Sequence, residues 1–277
     1  MTSASNLRKR LSDDAILVAP GIYDAFSALH AEMAGCEAVF ASGSSLAATH
    51  LARPDIGLLT ATETCEIVSR ISERISIPIL VDADQGFGNR YNVARTVKAL
   101  ERVGAAAIQI EDQQEVKPNA EPLSRPLISA EAMTDKIKAA RDSLIDQNVI
   151  ISARTDAMSS EGFDASLERA TRYIDAGADM IFVETLTSRA QMEALTSQLG
   201  NRVPLLHNLL RPTDEVTDAQ TAQEIGYSVA LFPGAALGAV GEALENTLGD
   251  LLAKPKLNLN APQKDSIGTG AFLSEQG

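Results

Sequence analysis

Short apolar runs alternate with longer amphipathic segments along this chain. Eight runs of four or five mostly apolar residues are each bounded by polar or turn-forming residues, as is typical of strands buried on both faces of a sheet. We predict strands at residues 16–19, 38–41, 77–81, 106–110, 149–153, 180–183, 203–206 and 229–232. The intervening segments have helical periodicity. Val93, Val97 and Leu100, for example, have the i, i+4, i+7 spacing of one buried helix face.

Turn and capping residues mark the ends of the predicted helices. A glycine follows a helical pattern and precedes a strand four times, which suits the left-handed backbone that closes a helix before a short connection. These glycines are Gly35, Gly104, Gly177 and Gly226. Thr60 with Glu63 fits a capping box, and Ser129 and Asp164 are predicted N-caps. Eight βα units favour a closed (β/α)₈ barrel of the TIM type over an open doubly wound sheet.

The predicted strands end in polar residues, most of them charged. Asp82 and Asp84 follow the third strand, Glu111 the fourth and Arg154 the fifth. In a barrel these positions share the carboxyl-terminal face, where active sites of this fold lie. Carboxylate oxygens of this kind suit Mg²⁺, with Mn²⁺ as an alternative. The competing interpretation is that these acids cap loops or pair with Arg154 and Lys117.

The composition argues against nucleic acid and membranes as partners of this protein. The 277 residues carry a formal net charge of −13 and only 4% aromatic side chains, which argues against nucleic acid as a partner. No apolar stretch approaches the roughly 18 residues of a membrane helix, and the first ten residues are polar and basic. We therefore expect a cytoplasmic protein with no membrane contact. Residues 1–253 are predicted to form the catalytic barrel, and residues 254–277 a polar tail.

Several motifs resemble the isocitrate lyase and phosphoenolpyruvate mutase superfamily. They are VDADQGFGN at 81–89 and QIEDQ at 109–113, with ASGS at 41–44, PDIG at 54–57 and ARTD at 153–156 in support. The resemblance spans about residues 15 to 240. It implies a (β/α)₈ barrel whose C-terminal helix is swapped between subunits of a homotetramer. It also implies an Mg²⁺-dependent enzyme that makes or breaks C–C or P–C bonds in a small carboxylate substrate through an enolate or enolpyruvate.

The resemblance also assigns roles to residues near the metal. Asp82 and Asp84 match the metal-binding aspartates, while Asp55 and Glu111 match acidic groups that hold metal-bound water. Arg154 matches the arginine that stabilises the enolate oxygen, in a position where a cationic group has the largest effect on rate. For Arg154 the alternative is a structural ion pair with Glu184 or Asp156.

Other matches concern the substrate carboxylate and the choice of subfamily. Ser42, Gly43 and Ser44 match a loop whose backbone N–H groups receive a substrate carboxylate, although without the resemblance they would be an ordinary βα turn. Glu184 and Asn208 match substrate-binding residues of the lyase branch.

The loop after Glu111 departs from the lyase pattern. Lyases that cleave 2-methylisocitrate, isocitrate or dimethylmalate have Lys-x-Cys-Gly-His there, with the cysteine as the acid. This chain has Lys117 followed by Pro-Asn-Ala, so that Asn119 stands in place of the cysteine, and an amide cannot supply that proton. Lys117 and Asn119 resemble the mutase branch instead. Water, Lys117, another residue of the loop or His207 remain alternative proton donors. Segment 114–126 is predicted to act as a lid.

A second departure bears on substrate size. Gly238 stands where the lyases of tricarboxylates have an arginine that binds the distal carboxylate. We therefore expect a carbon–carbon lyase acting on a small 2-hydroxy or 2-keto dicarboxylate. The alternatives are an oxaloacetate decarboxylase or hydrolase, a phosphonopyruvate-type P–C enzyme, and a barrel that binds a keto acid without catalysis.

Overall fold

The computed structural model describes residues 2–114 and 125–256. The described part contains eight strands, which we number in chain order. They are β1 (Leu17–Ile22), β2 (Val39–Ala41), β3 (Ile79–Asp82), β4 (Ala105–Glu111), β5 (Ile150–Thr155), β6 (Met180–Val183), β7 (Leu205–Asn208) and β8 (Val229–Phe232). All neighbouring pairs are parallel, and β1 pairs with β8 from Leu17 opposite Val229 onward, so the sheet closes into a barrel. The predicted (β/α)₈ fold is confirmed.

The described part also contains helices, most of which connect successive strands. They are α1 (Ser3–Arg10), α2 (Ala25–Met33), α3 (Gly43–Leu51), α4 (Ala61–Ser72), α5 (Arg90–Arg102), α6 (Ala130–Ser143), α7 (Ala157–Ser160), α8 (Phe163–Asp175), α9 (Arg189–Leu199), α10 (Ala219–Ile225) and α11 (Ala235–Ala253). Val93, Val97 and Leu100 are fully buried on α5, as their spacing predicts.

The predicted helix ends are confirmed with one exception. Gly35, Gly104, Gly177 and Gly226 have φ between 90° and 108°, so each uses a conformation that residues with a Cβ rarely adopt. Thr60 and Glu63 form the capping box, and Ser129 accepts a hydrogen bond from the Ala132 N–H. The prediction for Asp164 is wrong, because Gly162 is the N-cap of α8 and Asp164 lies in its first turn.

Strand β1 extends three residues beyond its predicted end. The Pro-Gly pair at positions 20 and 21 is typical of a strand end, yet both residues belong to the strand. Gly21 is needed there because a Cβ would lie 1.9 Å from the carbonyl oxygen of Pro233. Close approach between the ends of β1 and β8 therefore depends on a residue without a side chain.

The chain divides into two compact units, residues 1–238 and 239–277. The first unit holds the complete barrel, and most of α11 belongs to the second. The boundary after residue 253 stays a prediction, and most of the predicted tail, residues 257–277, lies outside the described residues. Within the described ranges, no helix is both long and apolar enough to span a membrane.

Candidate active site

The barrel brings the predicted polar residues to one end. Asp82, Glu111 and Asn208 are the last residues of β3, β4 and β7, Arg154 is the fifth residue of β5, and Glu184 directly follows β6. Because all strands are parallel, their carboxyl ends meet at the same mouth. Glu111 lies beside Arg154 in the register between β4 and β5.

Asp82 and Asp84 lie against Gly43 at the start of α3. The Gly43 N–H donates to Asp82 Oδ2 at 3.2 Å, and the Asp84 N–H donates to Asp82 Oδ1 at the same distance. A Cβ on Gly43 would stand 3.1 Å from Asp82 Oδ2 and 3.8 Å from Asp84 Oδ1. Both aspartates are buried, and Asp84 has φ of 46°. The missing side chain of Gly43 thus leaves space beside two buried carboxylates.

The acidic residues at the mouth indicate which type of metal ion could bind there. Among the described residues, no three acidic, imidazole or thiol side chains are arranged to hold one ion directly. The two neighbouring aspartates, Asp82 and Asp84, suit Mg²⁺, which keeps several water ligands and binds through one or two carboxylates. The donor set therefore fits a largely hydrated hard cation and does not fit a closed all-protein cage.

Ser42, Gly43 and Ser44 form the turn from β2 into α3. Ser42 is the N-cap of this nine-residue helix but makes no side-chain cap hydrogen bond, and its Oγ lies 3.0 Å from Ser44 Oγ. The helix N-terminus carries backbone donors and a partial positive charge, which suit an anion. The turn carries donors of the kind that the predicted carboxylate-binding role needs, although the Gly43 N–H already donates to Asp82 Oδ2.

Arg154 is surrounded by carboxylates. Its Nε and Nη2 donate to the two oxygens of Asp156 at 3.0 and 2.8 Å, its Nη1 lies 3.4 Å from Glu111 Oε2, and its Nη2 lies 3.8 Å from Glu184 Oε2. Burial opposes its charge, but Asp156, Glu184 and Glu111 together raise the pKa of Arg154 well above its usual value. Arg154 therefore remains cationic in a buried site.

The Asp156 pair also changes how Arg154 is interpreted. Burial alone would raise the pKa of Asp156, yet the charge and hydrogen bonds of Arg154 hold this pKa below its usual value. The structural ion pair with Asp156, which was the alternative interpretation of Arg154, is therefore present. Arg154 also lies at the mouth of the barrel. Because Asp156 takes Nε and Nη2, Nη1 is directed toward Glu111.

Glu184 and Asn208 lie together on neighbouring strands. Asn208 Nδ2 donates to Glu184 Oε2 at 3.1 Å. Both residues line a small cavity of about 20 Å³, which can hold one water-sized group. Asn208 Oδ1 and Thr185 Oγ1 are buried there without a hydrogen-bond partner in the described structure. A polar atom entering this cavity would satisfy them.

His207 contributes to the same cavity. Its side chain is buried and its ring lies 5.1 Å from the ring of Tyr227. Burial lowers the pKa of His207 to about 4, so the imidazole is neutral near pH 7. This charge state does not favour His207 as a cationic proton donor.

Thr185 and Arg211 also line this cavity and were not predicted from the sequence. Thr185 has φ of 60°, which is unusual for a β-branched residue and frequent at functional sites. Arg211 lines the cavity rim, is exposed, and forms no ion pair with the described residues. The only signal in the sequence was the position of both residues shortly after predicted strands.

The other predicted residues lie in a loop or outside the described part of the chain. Asp55 lies half-buried in the loop between α3 and α4. Lys117 and Asn119 fall outside the described residues, as does most of the predicted lid. Asp112 follows β4, and its side chain contacts α8, Thr155 and the Asp156 N–H.

One protein family and several characterised enzymes are similar in sequence to this chain. The family described as phosphoenolpyruvate phosphomutase matches residues 7–252. The chain is 42% identical over 250 residues to 2-methylisocitrate lyase from Aeropyrum pernix, covering 90% of this chain and 79% of the relative. It is 36% identical over 254 residues to 2,3-dimethylmalate lyase from Eubacterium barkeri, covering 88% of this chain and 84% of the relative.

Solved structures of related enzymes are similar to this chain over nearly its whole length. A crystal structure of 2,3-dimethylmalate lyase superposes with a TM-score of 0.92 at 31% identity, covering 100% of this chain and 94% of the other. Oxaloacetate acetylhydrolase with 3,3-difluorooxalacetate gives a TM-score of 0.89 at 27% identity, covering 99% and 92%. Phosphonopyruvate hydrolase with oxalate and magnesium gives a TM-score of 0.86 at 26% identity, covering 100% and 97%.

Proposed function

Because the chain belongs to the phosphoenolpyruvate phosphomutase family, within the phosphoenolpyruvate mutase and isocitrate lyase superfamily, we propose that it is a carbon–carbon lyase acting on a small 2-hydroxy dicarboxylate. The observation that carries this proposal is the approach of Arg154 Nη1 to Glu111 at the barrel mouth, with Glu184 and Asn208 in hydrogen-bond contact beside it. The relatives named as lyases support the same reaction class.

In the proposed cleavage, a base removes the hydroxyl proton of the substrate, the C–O bond becomes a carbonyl, and the adjacent C–C bond breaks. Its electron pair passes to the departing fragment, which is an enolate until a proton is delivered to carbon. The products are a 2-keto acid and a carboxylic acid. Arg154 stabilises the growing negative charge because it is buried, cationic and already oriented by Asp156.

We propose Mg²⁺ as the cofactor, held by Asp82 and Asp84 with Asp55 and Glu111 at the outer side, and Mn²⁺ as a substitute. Bound there, the ion would act as a Lewis acid toward substrate oxygens. The space beside Gly43 supports this assignment, as does a related phosphonopyruvate hydrolase solved with oxalate and magnesium. Lys117 and Asn119 are proposed to act from the loop that follows Glu111.

The cavity between β6 and β7 is proposed to receive the distal end of the substrate. Glu184, Asn208, Thr185 and His207 supply polar atoms, and Arg211 supplies a cation at the rim. The cavity is small, so this end of the substrate would insert a single polar group. This limit supports a compact dicarboxylate, consistent with Gly238 in place of the arginine of tricarboxylate lyases.

We also propose that the chain forms a homotetramer in which α11 is exchanged between subunits. Val240, Leu244, Leu248 and Leu251 follow one another at intervals of four, four and three residues, which places them on one face of α11. Light scattering should give a mass near four chains, and Leu244→Glu combined with Leu248→Glu should reduce it. A monomeric mass for the unaltered chain would contradict the proposal.

The function is tested by supplying malate derivatives and measuring pyruvate or another 2-keto acid. The unaltered chain should release a 2-keto acid from at least one substituted malate, and only in the presence of Mg²⁺. Asp84→Ala should abolish this release, whereas Asp14→Ala, at an exposed acid away from the mouth, should not change it. Unchanged turnover by Asp84→Ala would refute the proposal.

A second candidate is hydrolysis or decarboxylation of oxaloacetate. It is favoured by the structural similarity to oxaloacetate acetylhydrolase and by Asn119 in place of the lyase cysteine. Carbon NMR of the products separates the candidates, because hydrolysis gives oxalate and acetate, decarboxylation gives pyruvate, and a lyase leaves oxaloacetate intact. Phosphorus NMR with phosphonopyruvate tests P–C cleavage in the same way.

A further inference from the structure

Asp112 is the centre of a buried polar cluster behind the barrel wall. Its Oδ2 accepts hydrogen bonds from Tyr173 OH at 2.7 Å and Thr155 Oγ1 at 2.7 Å, and Arg169 Nη1 lies 3.4 Å away. Its side chain is fully buried. Burial raises the pKa of Asp112 above its usual value, against the hydrogen bonds that lower it. A buried carboxylate requires such partners.

The cluster is fixed from the outside by α8. Arg169 forms a bidentate pair with Glu161 at 2.7 and 2.8 Å, and it also donates to the Ile128 carbonyl oxygen at 3.1 Å and the Tyr173 hydroxyl oxygen at 3.2 Å. The largest influence on Tyr173 is burial, which with Asp112 raises its pKa far above the usual value, so the hydroxyl stays a donor. Tyr173 and Arg169 therefore hold Asp112 in one place.

Asp112 in turn holds Asp156. The Asp156 N–H donates to Asp112 Oδ1 at 3.0 Å, so the second oxygen of Asp112 fixes the backbone of the residue whose side chain binds Arg154. The contacts thus run from Tyr173 and Arg169 through Asp112 and Asp156 to Arg154.

Arg154 needs this support because its surroundings offer competing partners. Glu111 at 3.4 Å and Glu184 at 3.8 Å could each attract the guanidinium if Asp156 moved. A displacement of about 1 Å in a group that stabilises a transition state can cost on the order of a hundredfold in rate. In metal sites, hydrogen-bond partners of a metal-binding side chain fix its orientation in a comparable way.

We propose that Asp112, held by Tyr173 and Arg169, is a positioning residue that sets the orientation of Arg154 through Asp156. The inference rests on the proposed function, because it assigns Arg154 a part in stabilising the enolate. The hydrogen bonds described for the Asp112 and Tyr173 side chains go to α8, Thr155 and Asp156, so we expect their effect on the reaction to pass through Asp156 to Arg154.

Tyr173→Phe tests the inference with little change in volume. We expect kcat to fall about tenfold with KM changed less than twofold, because substrate still binds while Arg154 is misoriented. In an Arg154→Lys background the same substitution should change kcat less than twofold, because the group being positioned is gone. Equal losses in both backgrounds, or no loss in either, would overturn the inference.

Two controls separate positioning from general stability. Tyr227→Phe also removes a buried tyrosine hydroxyl, but one without a hydrogen-bond partner in the described structure, and should leave kcat unchanged. Melting temperatures of all variants identify any loss of folded protein.

A crystal structure of Tyr173→Phe gives a readout that needs no substrate. We expect the Arg154 guanidinium to leave Asp156 or to occupy two positions, and an unchanged bidentate pair would overturn the inference. If the unaltered chain turns over no substrate, the proposed function fails while this structure still decides the positioning role.

Discussion

Arg154 donates two parallel hydrogen bonds to Asp156, at 3.0 and 2.8 Å, while its third nitrogen, Nη1, lies 3.4 Å from Glu111. Bidentate arginine–carboxylate pairs impose geometry as well as charge. Asp156 therefore orients the guanidinium, and the remaining nitrogen, Nη1, lies toward Glu111 at the mouth. The same arginine is part of a structural ion pair and lies where we propose that it stabilises the enolate.

Arg154→Lys should separate charge from geometry. Lysine keeps the positive charge but cannot reproduce two parallel hydrogen bonds, so we expect kcat to fall about 10²- to 10³-fold. Steady-state kinetics on the best substrate measures this loss. Arg172→Lys, at an exposed arginine of α8, is the matched control and should have no effect. A change of less than threefold in Arg154→Lys would contradict the role given to its geometry.

Gly43→Ala should damage the site more than the fold. The added Cβ would lie 3.1 Å from Asp82 Oδ2, so the carboxylate must shift by a few tenths of an ångström. We expect about tenfold weaker activation by Mg²⁺ with a melting temperature within a few degrees of the unaltered chain. Gly234→Ala, where a Cβ meets nothing within 4 Å, is the control. Identical Mg²⁺ titrations for both variants would show that the space beside Gly43 is not used.

His207 should make the protein less stable in acid. Its pKa is lowered to about 4 by burial, whereas an exposed histidine has a pKa of about 6.5, so the unfolded chain binds a proton first as pH falls. Stability should therefore decrease as pH falls from about 6.5 to about 4, by up to about 3 kcal/mol from this group.

His207→Phe should remove that part of the pH dependence, and no hydrogen bond of Nε2 is lost with it. Urea unfolding at several pH values measures the effect, with His30→Phe as a control at a half-buried surface histidine. Parallel stability curves for the unaltered chain and His207→Phe would show that His207 does not titrate as a buried group.

The sequence predicts the fold closely because the buried strands carry a strong signal. The predicted and observed bounds of β6 and β8 agree at both ends, since each apolar run is bounded by polar or turn-forming residues. The extension of β1 through Pro20 and Gly21 was not predictable from local rules, because only the neighbouring Pro233 explains why a glycine is required. Long-range contacts of this kind have no local signature.

The candidate site was only partly predictable. Strand ends located Asp82, Glu111 and Arg154 because parallel topology converts sequence position into spatial proximity. The direction of side chains was harder to predict. Asp112 directly follows Glu111 yet faces α8, since successive residues of an extended segment point to opposite sides. Tyr173 could not be linked to the site, because its partner lies 61 residues away.

Oxalate binding measured by calorimetry, with and without Mg²⁺, tests the central claim most directly. Oxalate mimics the planar, negatively charged enolate, so binding reports the site without requiring the correct substrate. We predict that the unaltered chain binds oxalate in the presence of Mg²⁺ and not in its absence, and that Asp84→Asn loses this binding while Asp14→Asn keeps it. Oxalate binding that is independent of Mg²⁺, or unchanged in Asp84→Asn, would contradict a metal-assisted enolate site at the barrel mouth.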